Sequence, residues 1–317
     1  MPRMVFETSL RNSESISIPT SEERFQKIAV NVEVQPDQWL VKPYDIAAKQ
    51  GLIVVSDTSL SAVHVFDVRR KKLFAIGWRG QVQLVNPLGV AIDDELNIYV
   101  ADAGLKAVVK FDSQGHFKSY IGKPEHFSRI TDVAVSNIDK RVYVLDRGGV
   151  ESSSHRFQIY NQAGELQRTV GKRGVETGMF NHPIQIDTDN EGNVYVLDSG
   201  NFRVQQFTPA GDFIRKWGRL GKGLGSFARP RGMAVSRDSH VLVSDSAFQN
   251  FQIFNNEGQL LLNVGEGGGP DLPGRYLLPA GIAADETDRI YIVDQMRQKI
   301  DVFRLLSQKE IEVLLNK

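Results

Sequence analysis

The stretch that decides the fold is "NVYVLDSGNFRVQQFTPAGDFIRKWG", residues 193–218. Two β-type runs, "NVYVLD" and "RVQQF", flank an Asp-Ser-Gly turn, and a third, "FIRKWG", follows "TPAGD". Gly in that last turn supplies the positive φ a tight hairpin needs. Alternation in "VYV" and "VQQF" sends side chains to both faces of a sheet, as expected when a like sheet covers each side. A single hairpin unit cannot bury both faces alone. The fold therefore turns on whether the chain repeats the unit.

It repeats it six times. The Asp ending each second strand recurs at Asp57, Asp102, Asp146, Asp198, Asp245 and Asp294, at intervals of 44 to 52 residues. An aromatic follows nine residues later in every unit but the third, where the offset is 14: Phe66, Phe111, Tyr160, Phe207, Phe254 and Phe303. Eleven residues further lies a Gly, at 77, 122, 171, 218 and 265. Pro87, Pro183, Pro230 and Pro279 each precede their Asp by 15 residues, and Pro43 by 14. Four-strand units repeating every 40 to 50 residues are the signature of a β-propeller. The expected fold is all-β: a six-bladed β-propeller of four-stranded antiparallel blades.

The sixth unit lacks its fourth strand. "RMVFETSL", residues 3–10, is predicted to supply it, so that the N-terminal strand closes the last blade. The expected layout is a single domain over 1–317, with repeats at about 42–304 and a short tail at 305–317. "ERFQKIAVNVEV", residues 22–34, reads as a linker or as part of the closure, and Ile311, Leu314 and Leu315 fall on one helical stripe.

Formal net charge is zero, which removes any global electrostatic drive toward nucleic acid or anionic membranes. Cysteine is absent, which excludes disulfides, thiolate chemistry, Cys-ligated zinc and Cys-attached haem. No run is long enough to span a membrane. No secretory signal is visible; a processed chain would be periplasmic or extracellular, and an unprocessed one cytoplasmic.

"NPLGVAIDDELNIYVADAGLKAVVKF", "RPRGMAVSRDSHVLVSDSAFQNFQIF" and "LPAGIAADETDRIYIVDQMRQKIDVF" resemble the NHL-repeat family over residues 42–304. The resemblance implies a six-bladed propeller and no particular reaction. Through "GKRGVETGMFNHP", "FARPRGMAV" and "GGGPDLPGRYLLPAGIA" the chain looks most like bacterial NHL proteins associated with multihaem c-type cytochromes. That implies a protein-binding scaffold whose partner is a redox protein such as a c-type cytochrome. Some animal NHL propellers bind single-stranded RNA, which keeps an RNA-binding propeller as an alternative.

The six turn Asp residues read as structural: six equivalent copies accepting turn N–H groups do not make one special environment. Departures from the repeat are more informative. At the position before the first-strand apolar residue the chain has Asp45, Gly89, Asp132, Gln185, Gly232 and Gly281. Asp45, Asp132 and Gln185 are therefore expected at the tunnel mouth, pointing at a common axis. No cofactor is required, although Asp45 and Asp132 are candidate ligands for Ca²⁺ in the central tunnel. A metal-dependent hydrolase or lyase at that mouth is the enzymatic alternative. On the face carrying the inter-blade loops, Arg156, Lys172, Arg173, Arg203, Arg219, Lys222, Arg229 and Arg231 form a basic arc, the expected interaction face. RNA readout would need exposed aromatics beside these cations. Phe180, Phe227 and Tyr276 recur before the first strand and read as buried anchors, leaving Phe202 and Phe248 as the better exposed candidates; nucleic acid is the least favoured partner.

Overall fold

The computed structural model describes residues 3–12, 15, 40–149, 152–306 and 310. They form six four-stranded sheets, each an antiparallel run from an inner to an outer strand. Blade 4 holds Pro183–Thr188, Val194–Asp198, Arg203–Phe207 and Phe213–Trp217 in that order. The inner strands of the other blades are Pro43–Lys49, Pro87–Ile92, Ile130–Val135, Pro230–Val235 and Pro279–Ala284. Each packs on the inner strands of its two neighbours, the sixth on the first, so the ring is closed.

Burial grades outward. Second strands such as Val142–Asp146 and Val194–Asp198 are buried at every residue, because both faces meet neighbouring blades. The outer strands Leu166–Val170 and Phe213–Trp217 are mostly exposed. β-branched and aromatic residues fill the inner runs, where a half-pleated surface packs best.

Closure is as the incomplete sixth unit predicts. Met4–Leu10 pairs antiparallel with Lys299–Leu305, Met4 facing Leu305 and Leu10 facing Ile300, with a bulge between Phe6 and Thr8. Phe6 meets Phe303 edge-on at 5.6 Å. Residues 22–34 and the stripe at 311–315 lie outside the described residues.

All six turn aspartates are buried, and their carboxylates knit loops to blades. Asp245 accepts from the N–H groups of Ala228 and Arg229 ahead of its inner strand, and from Ala247 and Phe248 in its own turn. Asp57, Asp102 and Asp294 repeat this four-donor pattern. Each thus holds one inter-blade loop against one turn, and that defines a loop face and, opposite it, a hairpin face.

Candidate interaction face and axial site

Three neighbouring inter-blade loops, 171–182, 218–229 and 265–278, share one construction. The Gly that opens each loop has positive φ, and an added Cβ would strike the loop's aromatic anchor: Gly171 against Phe180, Gly218 against Phe227, Gly265 against Tyr276. The anchors are fully buried, as the repeat spacing predicts. Phe180 N donates to Lys172 O and Phe227 N to Arg219 O, both at 2.9 Å. Buried Gln205 and Gln252 then clamp the loops from below. Gln205 accepts from Gly178 N and donates to Met179 O; Gln252 accepts from Gly225 N and donates to Ser226 O. The clamp was legible in principle: a glutamine falls seven residues after the turn Asp in blades 4 and 5, inside a strand that is otherwise core.

These rigid loops present Lys172, Arg173, Arg219, Lys222 and Arg229 at the surface. Loops 171–182 and 218–229 together hold those five cations against one acid, Glu176. The remaining arc residues are placed differently. Arg156 is half-buried and donates to His126 O, with Asp146 at 3.5 Å. Arg231 is half-buried over the Tyr44 ring, 5.8 Å from its centroid.

Arg203 is a correction to the expected face. It is 7% exposed, pairs with Asp198 at 2.9 Å, and donates to the carbonyls of Val175, Glu176 and Met179. It sits one residue into the third strand, so its side chain runs beneath the loop instead of above it.

Sequence reasoning missed what lies between the cations. Leu220 is 65% and Leu224 71% exposed on loop 218–229, and Val175 stands out on loop 171–182. Trp78, 63% exposed on the first inter-blade loop, carries Arg79 over its ring at 4.7 Å. Arg129 and Arg147, close enough to act on His182, add to the positive field. Burial, then His155 and these arginines, hold the His182 imidazole below its usual range; its ring lies 5.1 Å from that of His155.

The structure brings Asp45, Asp132 and Gln185 together, but deeper than the mouth. They are 1%, 1% and 6% exposed; Tyr44, one residue before Asp45, lies within reach of both carboxyls, with Arg231 over its ring. Gln185 Nε2 donates to Asp45 Oδ1 at 2.9 Å. Asp45 Oδ2 accepts from Val90 N and Asp132 Oδ2 from Ile186 N, so each carboxylate latches the inner strand of the next blade. Glycines make the room: a Cβ on Gly89 would overlap Asp132, and one on Gly281 would overlap Asp45. Burial raises the Asp45 carboxyl to about 7; burial and then Asp45 raise Asp132 well above the usual range. Among the described residues, no three His, Asp or Glu side chains are grouped to hold a metal ion.

From this plug to the hairpin face runs a cavity of about 540 Å³, walled by the inner strands of all six blades. The class of protein is thus defined by its ring: a six-bladed β-propeller, plugged near the loop face and, among the described residues, open on the hairpin face. Residues 180–207, within blade 4, match the NHL repeat model. Over 120 residues, 37% of this chain, it is 30% identical to the Protein brain tumor of Drosophila melanogaster, and the match spans 11% of that protein's length. Among solved structures, a Xanthomonas campestris gluconolactonase superposes with a TM-score of 0.63 at 17% identity, covering 84% of this chain and 87% of that one. Virginiamycin B lyase from Staphylococcus aureus gives 0.58 at 8% identity, covering 96% and 100%. Kuenenia stuttgartiensis hydrazine synthase gives 0.57 at 14%, covering 87% and 98%. These likenesses show the fold alone.

Proposed function

We propose that the protein is a non-enzymatic binding platform that docks an acidic protein through loops 171–182 and 218–229. The observation that carries this reading is the pairing of five surface cations with the exposed Leu220, Leu224 and Val175 on loops clamped from beneath by Gln205 and Gln252. Apolar knobs ringed by charge suit a protein surface: the apolar contacts supply affinity, and the charges supply rate and register. Rigid loops also lower the ordering cost of association. A c-type cytochrome with an acidic docking surface is the particular partner to which the family resemblance points.

The test is cross-linking followed by pull-down from the native host, with the purified partner then titrated at rising salt. L220D/L224D and R219E/R229E should each weaken binding by about tenfold or more at unchanged melting temperature, and the affinity should fall with salt. A partner that cross-links elsewhere, or ignores both variants, overturns the reading.

A further inference from the structure

The axial cavity lies at the opposite end from the docking loops, and its chemistry is distinct. Its lining holds six carboxylates, Asp45, Asp94, Asp132, Asp187, Asp285 and Glu286, against two cations, Lys49 and Arg237. The rim acids are engaged: Asp94 with Lys49 at 2.5 Å, Asp285 with the Tyr291 hydroxyl, and Glu286 with Gln50 N. The floor is different. Asp132 Oδ1 is buried and has no hydrogen-bond partner among the described residues. Asp45 Oδ1 accepts from Gln185 Nε2 at 2.9 Å. Between floor and rim the lining carries the half-buried alanines Ala47, Ala48, Ala91 and Ala284 among polar groups, while Val90, Val133 and Ile186 beside them turn into the inter-blade cores.

We propose that this cavity binds an organic ammonium ion, a protonated amine on an apolar body, with its nitrogen at Asp132 and Asp45. The volume falls in the range of small-molecule sites, about 300–1,000 Å³. An ammonium brings several donors to a floor that lacks them, and a buried carboxylate is tolerated when paired and hydrogen-bonded. A bare divalent ion fits less well. Ca²⁺ takes six or more oxygens, and one oxygen of each floor carboxylate is already held by a backbone N–H. The alanine methyls of the lining, unused by a metal ion, would meet the body of the amine.

The floor carboxylates must ionise to hold the ammonium, so binding releases protons. The other charged or titratable groups facing them are Asp187, whose carboxyl burial raises to about 6, and Tyr44, Arg231, Arg147 and Lys49. As the floor carboxylates ionise, affinity should rise with pH from 6 to 8.

The experiment is calorimetric titration of the full chain with phenethylammonium, with the neutral isostere 2-phenylethanol, and with calcium chloride. Each is run in two buffers of different ionisation heat. Phenethylammonium should bind with proton release and tighten by about tenfold from pH 6 to pH 8, while 2-phenylethanol gives no heat. D132N should weaken the amine by about tenfold or more with no loss of melting temperature. D45N serves as a second variant should D132N fail to fold. Equal binding of the alcohol, no binding of the amine, or binding indifferent to both variants overturns the proposal. So does calcium binding that D132N abolishes while the amine gives no signal.

Discussion

Gln185 donates its side-chain amide to Asp45 across the propeller axis at 2.9 Å, joining blade 4 to blade 1 over a separation of 140 residues. Opposite blades rarely need such a tie, because each sheet packs only on its neighbours. Here three glycines open the axis and three polar side chains fill it, so the plug is built into the repeat by its exceptions.

That plug sets a pH dependence. The Asp45 carboxyl sits at about 7 in the fold against 3.8 ordinarily, chiefly through burial. Between these values the folded protein holds a proton that the unfolded chain has lost. Stability is then fully present below pH 4, falls as pH rises toward 7, and changes no further above it. Asp132 and Asp187 are shifted in the same sense. The melting temperature of the wild type, relative to D45N/D132N, should decline from pH 4 to pH 7.5. Parallel curves for the two proteins would show that the carboxyls are not shifted.

The turn aspartates make a second prediction. D245A strips four backbone N–H groups of their acceptor. Each unsatisfied buried donor costs about 1–3 kcal/mol, less where water enters, for a total of about 3–5 kcal/mol. D245N keeps one oxygen and should cost about half as much. Urea denaturation measures both, and a loss below about 1 kcal/mol for D245A would contradict the bonding described.

The ring was legible because closure acts on the sequence periodically. Every blade needs the same turn acceptor, and most need the same core aromatic and loop anchor, so Asp245, Phe254 and Phe227 have counterparts at recurring offsets around the ring. The axial trio was legible for the converse reason, since Asp45, Asp132 and Gln185 break a glycine position. Their depth was not, because it depends on how far each inner strand runs past the loop face before these residues, which no spacing in the sequence records. Nor was the burial of Arg203: the sequence carries its charge but not the three carbonyls that loop 171–182 turns toward it. Exposed Leu220 and Leu224 have no repeat offset to betray them, since the loops alone vary freely.

Removal of residues 1–11 should leave Lys299–Leu305 as an unpaired edge. The outer strand contributes buried Leu10, the Phe6–Phe303 contact and the Glu7 pairs with Arg289 and Arg304. Burying one Leu is worth about 1.5–3 kcal/mol, so the loss should reach at least about 2 kcal/mol. A bare edge also templates pairing with other chains. Light scattering should reveal self-association that a peptide of residues 1–12 suppresses in trans. A truncated protein that stays monomeric and melts at the wild-type temperature would contradict the closure.

Arg203 and Arg219 separate structure from surface within one arc of like charges. R203A deletes the guanidinium that pairs with buried Asp198 and satisfies three loop carbonyls. Breaking a buried pair by removing one partner costs about 3–5 kcal/mol, because the remaining charge stays desolvated. R219A and R229A remove exposed side chains and should fall within about 0.5 kcal/mol of the wild type. Lysine at 203 restores the charge but not the fork that reaches several acceptors at once, so R203K should remain clearly destabilised. Chemical denaturation of the four proteins decides the matter: equal stability of R203A and R219A would put Arg203 back among the surface residues.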